Sequence, residues 1–122
     1  MRKIPGKRYE GLPCSYVATG CAYEDLFKRP FPAPLSDELR GDGYLSLEGA
    51  NRYIRRYLPV RKKVYFRRSE RPLLADMLEG NREKACVCLY GHFVYISGDD
   101  YWSFFENEKD PVVCIWYLKE DE

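Results

Sequence analysis

The chain has 122 residues, with 45% apolar and 32% charged side chains. That is one globular domain, and the balance excludes a disordered tail protein. Lys plus Arg number 20 and Asp plus Glu 19, so net charge alone implies neither a nucleic-acid nor a membrane partner. No apolar run approaches the ~18–20 residues of a membrane span. The start, Met1-Arg2-Lys3-Ile4-Pro5-Gly6, lacks the apolar core of a secretory signal, so a cytoplasmic location is expected. There are 11 Tyr, a single His and no Gln.

The first dozen residues are basic and turn-rich, with Pro5, Gly6, Gly11 and Pro13. Pro13 suits the first turn of a helix, where its missing N–H costs nothing. From Cys14 to Phe27 small and apolar residues recur at helical spacing: Cys14, Val17 or Ala18, Cys21 and Ala22. A face of small residues lets another backbone approach, so this helix is expected at the centre, against a sheet. Pro30, Pro32, Pro34, Gly41 and Gly43 make residues 28–43 a connector, with room for one short helical turn at Ser36–Leu39. Ser46 then caps a second helix to about Leu58, striped by Leu47, Ala50, Ile54, Tyr57 and Leu58 and ended by Pro59.

Val60–Arg67 alternates weakly and predicts a strand. Pro72 opens a third, short helix that closes at Gly80. The remainder is β: Lys84–Ser97, broken at Gly91; a turn at Ser97-Gly98-Asp99-Asp100; a return strand Tyr101–Glu106; and a last strand Val112–Leu118. Helices first and strands last is the α+β pattern, here N-terminal helices packed on a C-terminal antiparallel sheet in a single domain, residues 1–122.

Five cysteines, Cys14, Cys21, Cys86, Cys88 and Cys114, without a signal argue for reduced thiols. Cys86 and Cys88 are too close for the usual zinc spacing and are expected to point together into the core as small hydrophobes. No metal or organic cofactor is implied. Charge is uneven. Residues 52–71 carry nine cations, among them Arg55, Arg56, Arg61, Lys62, Lys63, Arg67 and Arg68, against Glu70 alone. Residues 99–122 carry eight acids against Lys109 and Lys119. Either the two regions neutralise each other, or the first is a basic surface for an acidic ligand or nucleic acid.

Cys14 stands where a helix N-terminus would stabilise a thiolate, although a cysteine that merely packs is the simpler reading of it alone. His92 opens an apolar strand and shares sequence parity with Cys86, Cys88, Val94 and Ile96. A hairpin centred between Gly98 and Asp99 brings His92 opposite residues 105–107, hence beside Asn107, and leaves Asp99 and Asp100 about 20 Å away along the strand. A thiol at a helix start, a His on a strand and an Asn beside it are the parts of a thiol-nucleophile site.

Pro13-Cys14-Ser15-Tyr16, Gly91-His92-Phe93-Val94-Tyr95-Ile96-Ser97-Gly98 and Tyr101-Trp102-Ser103-Phe104-Phe105-Glu106-Asn107 together resemble a minimal papain-like cysteine peptidase domain. The likeness is to the small bacterial and phage kind akin to the bacteriocin-leader peptidases. It covers both ends of the chain and leaves residues 28–84 unassigned. The resemblance implies a hydrolase of peptide or isopeptide bonds, with Cys14 as nucleophile, His92 as general base and then acid, and Asn107 fixing the imidazole. The oxyanion would rest on amides near Cys14 and Ser15. The family's Gln, six residues before its nucleophile, is replaced here by Arg8, so Arg8, Tyr9 or a backbone N–H must substitute. Loss of such a donor costs about 10²–10³ in rate. The rival expectation is a catalytically silent binding module, an inhibitor or ligand binder of a phage or mobile element, its many tyrosines supplying contact area. A nucleic-acid binder using the basic 52–71 stretch is a weaker third.

Overall fold

The computed structural model describes residues 2–5, 14–32, 47–80, 83–90, 92–103 and 108–120. Strands β3 (Ala85–Leu89) and β4 (His92–Ser97) are buried along almost their whole lengths. A strand apolar on both faces must lie inside its sheet, and these two are internal. With β1 (Arg2–Pro5), β2 (Val60–Tyr65), β5 (Asp100–Ser103) and β6 (Val112–Leu118) they form one sheet in the order β1-β5-β4-β3-β6-β2. The pairings from β5 to β2 are all antiparallel, whereas β1 joins β5 in parallel. The α+β architecture is therefore as the sequence predicts, except that the turn-rich N-terminus supplies an edge strand.

Helices α1 (Cys14–Phe27) and α2 (Leu47–Tyr57) cover one face of the sheet, and α3 (Leu74–Gly80) covers the other. Residues 16–22 of α1 are buried without interruption. That follows from its small side chains: Ala18, Gly20 and Ala22 let sheet and α2 approach from different sides. The predicted turn at Ser36–Leu39 and the Ser46 cap lie outside the described residues. The first core layer sets Val17, Ala18, Cys21, Ala22 and Leu26 of α1 and Ala50 and Ile54 of α2 against Cys86, Cys88, Phe93, Tyr95, Cys114 and Trp116. The second sets Leu74 and Leu78 of α3 against Val87, Leu89, Val94, Ile96, Val112 and Ile115.

Tyrosine is spent mainly on this interior. Tyr16, Tyr23, Tyr53, Tyr95 and Tyr101 are buried, while Tyr65 and Tyr90 are the large exposed ones among the described residues. Tyr16 meets Tyr53 at 4.5 Å between ring centroids and Tyr53 meets Tyr57 at 5.1 Å, which joins α1 to α2. The tyrosine count thus reflects core packing and does not by itself argue for a binding surface.

Two polar contacts fix the helices on the sheet. Trp116, fully buried, donates its indole N–H to Asn51 Oδ1 of α2 at 2.7 Å. Tyr95 donates its hydroxyl to Asp25 Oδ2 of α1 at 2.7 Å, and Lys84 Nζ lies 3.5 Å from the same oxygen. Burial pushes the Asp25 carboxyl up, but hydrogen bonds from Tyr95 and Ser97 and the charges of Lys84 and Lys28 together bring it below its ordinary value of 3.8. The C-terminal part of α1 is thereby tied to the Ser97 end of β4. Because α1 packs along β4, its N-terminal end points toward the Leu89–His92 end.

A carboxyl held below its unfolded pKa contributes stability that is present above that pKa and is lost as pH falls through the folded value. Tyr95→Phe removes one hydrogen bond to the charged form. It should lower the unfolding free energy by about 1–2 kcal/mol at pH 7. In urea melts the deficit relative to wild type should shrink below about pH 4. A deficit independent of pH would show that the Tyr95–Asp25 contact contributes nothing through charge.

Candidate functional site

α1 begins at Cys14, so the residue singled out as a nucleophile stands at the helix N-terminus. The side chains of Cys14 and Ser15 lie outside the described residues, as do Arg8, Tyr9 and Asn107. His92 is the first residue of β4.

Pairing across the β3–β4 turn decides where the His92 ring goes. Leu89 is opposite His92, Cys88 opposite Phe93, Val87 opposite Val94 and Cys86 opposite Tyr95. Two positions separate Leu89 from His92, so facing partners have opposite parity in the sequence. Cys86 and Cys88 share a face with Phe93 and Tyr95, which is the α1 face. His92 shares a face with Leu89, Val94 and Ile96, which is the α3 face. The expected grouping of His92 with Cys86 and Cys88 is therefore corrected: these residues have the same parity but belong to strands that turn back on each other. His92 and the start of α1 lie at the same end of the sheet, on opposite sides of it. The β4–β5 register runs through Tyr95–Trp102, Ile96–Tyr101 and Ser97–Asp100, a turn centred between Gly98 and Asp99 as predicted. Gly98 takes the positive φ of 59° that this tight turn needs.

The remaining thiols, Cys21, Cys86, Cys88 and Cys114, are buried and reduced. Burial, and the neighbouring Cys21, push the Cys86 thiol well above its ordinary range. Cys88 and Cys114 are directly opposite on β3 and β6. Their mutual hydrogen bond raises Cys88 and lowers Cys114; burial opposes the shift at Cys114, while Lys63 and Arg71 support it. Among the described residues no group of three or more His, Cys, Asp and Glu is placed to hold a metal ion. No helix among them is long and apolar enough to cross a membrane.

The basic stretch occupies one flank. Arg52, Arg55 and Arg56 are exposed on α2, Arg61 and Lys62 are exposed on β2, and Arg67 and Arg68 are exposed beyond it. β2 is the outermost strand on its side of the sheet. A register shift between Val60 and Lys62 puts Arg61 and Lys62 both over the Tyr117 ring, each at 5.6 Å, while Lys63 sits 5.5 Å over Trp116 on the other face. Arg61 pairs with Glu83 at 2.7 Å and Arg52 with Glu48 at 3.8 Å. Both acids come from outside the acidic 99–122 region expected to neutralise this stretch.

Comparison of the chain with protein-family models, curated proteins and solved structures finds no match.

The register makes a specific demand on thiol reactivity. Iodoacetamide labelling of Cys14 near pH 7, followed by mass spectrometry, should proceed at the same rate, within about twofold, in His92→Ala and wild type. A tenfold or larger fall in His92→Ala would mean that the imidazole reaches the thiol across the end of the sheet.

Proposed function

We propose that this chain is a binding module that takes an extended, acidic protein segment along the β2 edge of its sheet. The observation that carries this reading is the cationic character of that edge: Arg61, Lys62 and Lys63 sit on the outermost strand and Arg67 follows it. An edge strand offers unpaired backbone N–H and C=O groups to any strand that can lie beside it. Cations there repel a second copy of the same edge and attract an acidic one, so charge selects the partner. The aromatic rings beneath Arg61, Lys62 and Lys63 hold the cations at this edge, with Arg61 shared with Glu83. The chain's nearly balanced total charge favours a local acidic segment over a long polyanion such as nucleic acid.

A fluorescent peptide alternating Glu and Val, titrated by anisotropy at low salt, tests this. Wild type should bind it, with affinity falling as salt rises. The reversal Arg61→Glu, Lys62→Glu, Lys63→Glu should weaken binding about 10–100-fold. Unchanged affinity after reversal would overturn the reading, and tighter binding of a duplex DNA of equal charge would transfer the surface to nucleic acid.

The second reading is the papain-like thiol hydrolase with Cys14, His92 and Asn107. The observation in its favour is that α1 starts at Cys14 and points that end toward the strand terminus carrying His92. Its weakness is the opposite face of His92. In this reading wild type cleaves a fluorogenic peptide library and Cys14→Ser loses nearly all turnover while still binding. Absence of turnover in wild type, or turnover that survives Cys14→Ser, would end it.

A further inference from the structure

Where the basic flank meets the β3–β4 turn, a cavity of about 410 Å³ is lined by Arg68, Arg71, Tyr90 and Pro111. Its walls come from three separate parts of the chain. Arg68 opens the 3₁₀ turn Arg68–Glu70. Arg71 precedes the segment whose Leu73 bridges to Pro111, with Val112 N–H donating to Pro72 C=O at 2.8 Å and Leu74 N–H to Asp110 C=O at 2.9 Å. Those backbone bonds fix the segment carrying Arg71 against the start of β6. Tyr90, in the turn after β3, is 85% exposed.

Both charged side chains that line this cavity are arginines. Arg71 Nε is buried and meets no hydrogen-bond acceptor among the described residues. A guanidinium partly withdrawn from water without an acceptor at Nε is costly, and an anion in the cavity beside Arg71 offsets part of that cost through charge. Arg68 brings a second guanidinium to the same space. Two such groups match a dianion better than a single carboxylate, and a phosphomonoester near neutral pH carries about −1.5 to −2 with three acceptor oxygens. The volume lies in the range of small-molecule sites, about 300–1,000 Å³, and leaves room beyond the anion itself. Tyr90 and Pro111 offer a ring and an apolar surface for whatever the phosphate is attached to.

We infer that this cavity binds a small phosphomonoester bearing an aromatic ring, with Arg68 and Arg71 holding the phosphate and Tyr90 stacking on the ring. The site is independent of peptide docking on β2, since it uses different side chains and a different ligand.

The probe is phenyl phosphate, followed by amide chemical-shift titration in low-salt buffer, with glycerol phosphate as the ring-free comparison. Wild type should saturate with Kd below about 1 mM, and the largest shifts should fall at Arg68, Arg71, Tyr90 and Val112. Arg68→Gln and Arg71→Lys should each weaken binding about tenfold. Tyr90→Ala should bring phenyl phosphate down to the affinity of glycerol phosphate. If Arg71→Lys disturbs the fold, Arg68→Gln, on an exposed turn, carries the test alone. Failure to saturate, shifts centred on Arg61–Lys63, or unchanged affinity in Arg68→Gln would overturn the site. Wild type that binds phenyl phosphate but not the acidic peptide would sink the edge-strand reading and leave this one intact.

Discussion

The whole arrangement depends on how β3 turns back into β4. Leu89 faces His92 across two intervening positions. That even count fixes which residues of the two central strands share a side. Cys86, Cys88, Phe93 and Tyr95 go to α1; Val87, Leu89, Val94 and Ile96 go to α3. A connection one residue longer or shorter would exchange every side chain of one strand between the faces. The cost would be severe, because both faces are packed: it would put Tyr95 among the aliphatic side chains under α3 and leave Asp25 without its hydroxyl donor. The register is therefore held by two cores at once.

Most of the fold is legible in the chain. The small-residue helix from Cys14 to Phe27, the helix ending before Pro59, the short helix closing at Gly80 and the strands from Val60 onward lie where periodicity and breakers put them, the part of the expected Tyr101–Glu106 strand beyond Ser103 lying outside the described residues. Two features were out of reach of pattern alone. β1 is four residues long and sits among turn formers, so no period can develop in it. The faces of β3 and β4 depend on the length of the turn between them, and a glycine near the middle of an apolar run does not reveal whether two or three positions form that turn. Sequence parity alone groups His92 with Cys86 and Cys88, and the pairing separates them. The tyrosines misled for a different reason: a phenol suits an interface and a core equally well, and here Tyr16, Tyr53 and Tyr95 serve the core.

The division of labour between the faces bears on function. The α1 face holds the four described thiols under close packing, where burial keeps Cys86 protonated and inert. The flank outside that core holds the exposed cations, on an edge strand and in the turn that follows it. The register puts His92 on the α3 face while the described thiols are on the α1 face, and recognition of an acidic partner needs only the flank as it stands. That asymmetry is the reason for preferring binding to hydrolysis.

The most direct measurement is of the neighbours of the single imidazole. In a nuclear Overhauser spectrum the isolated His92 ring protons should show contacts to Leu89 side-chain protons and none to Val17 or Ala18 of α1, because contacts of this kind vanish beyond about 5–6 Å and the sheet lies between. Strong contacts from the His92 ring to α1 would contradict the register, place the imidazole on the thiol side, and return the catalytic reading to first place.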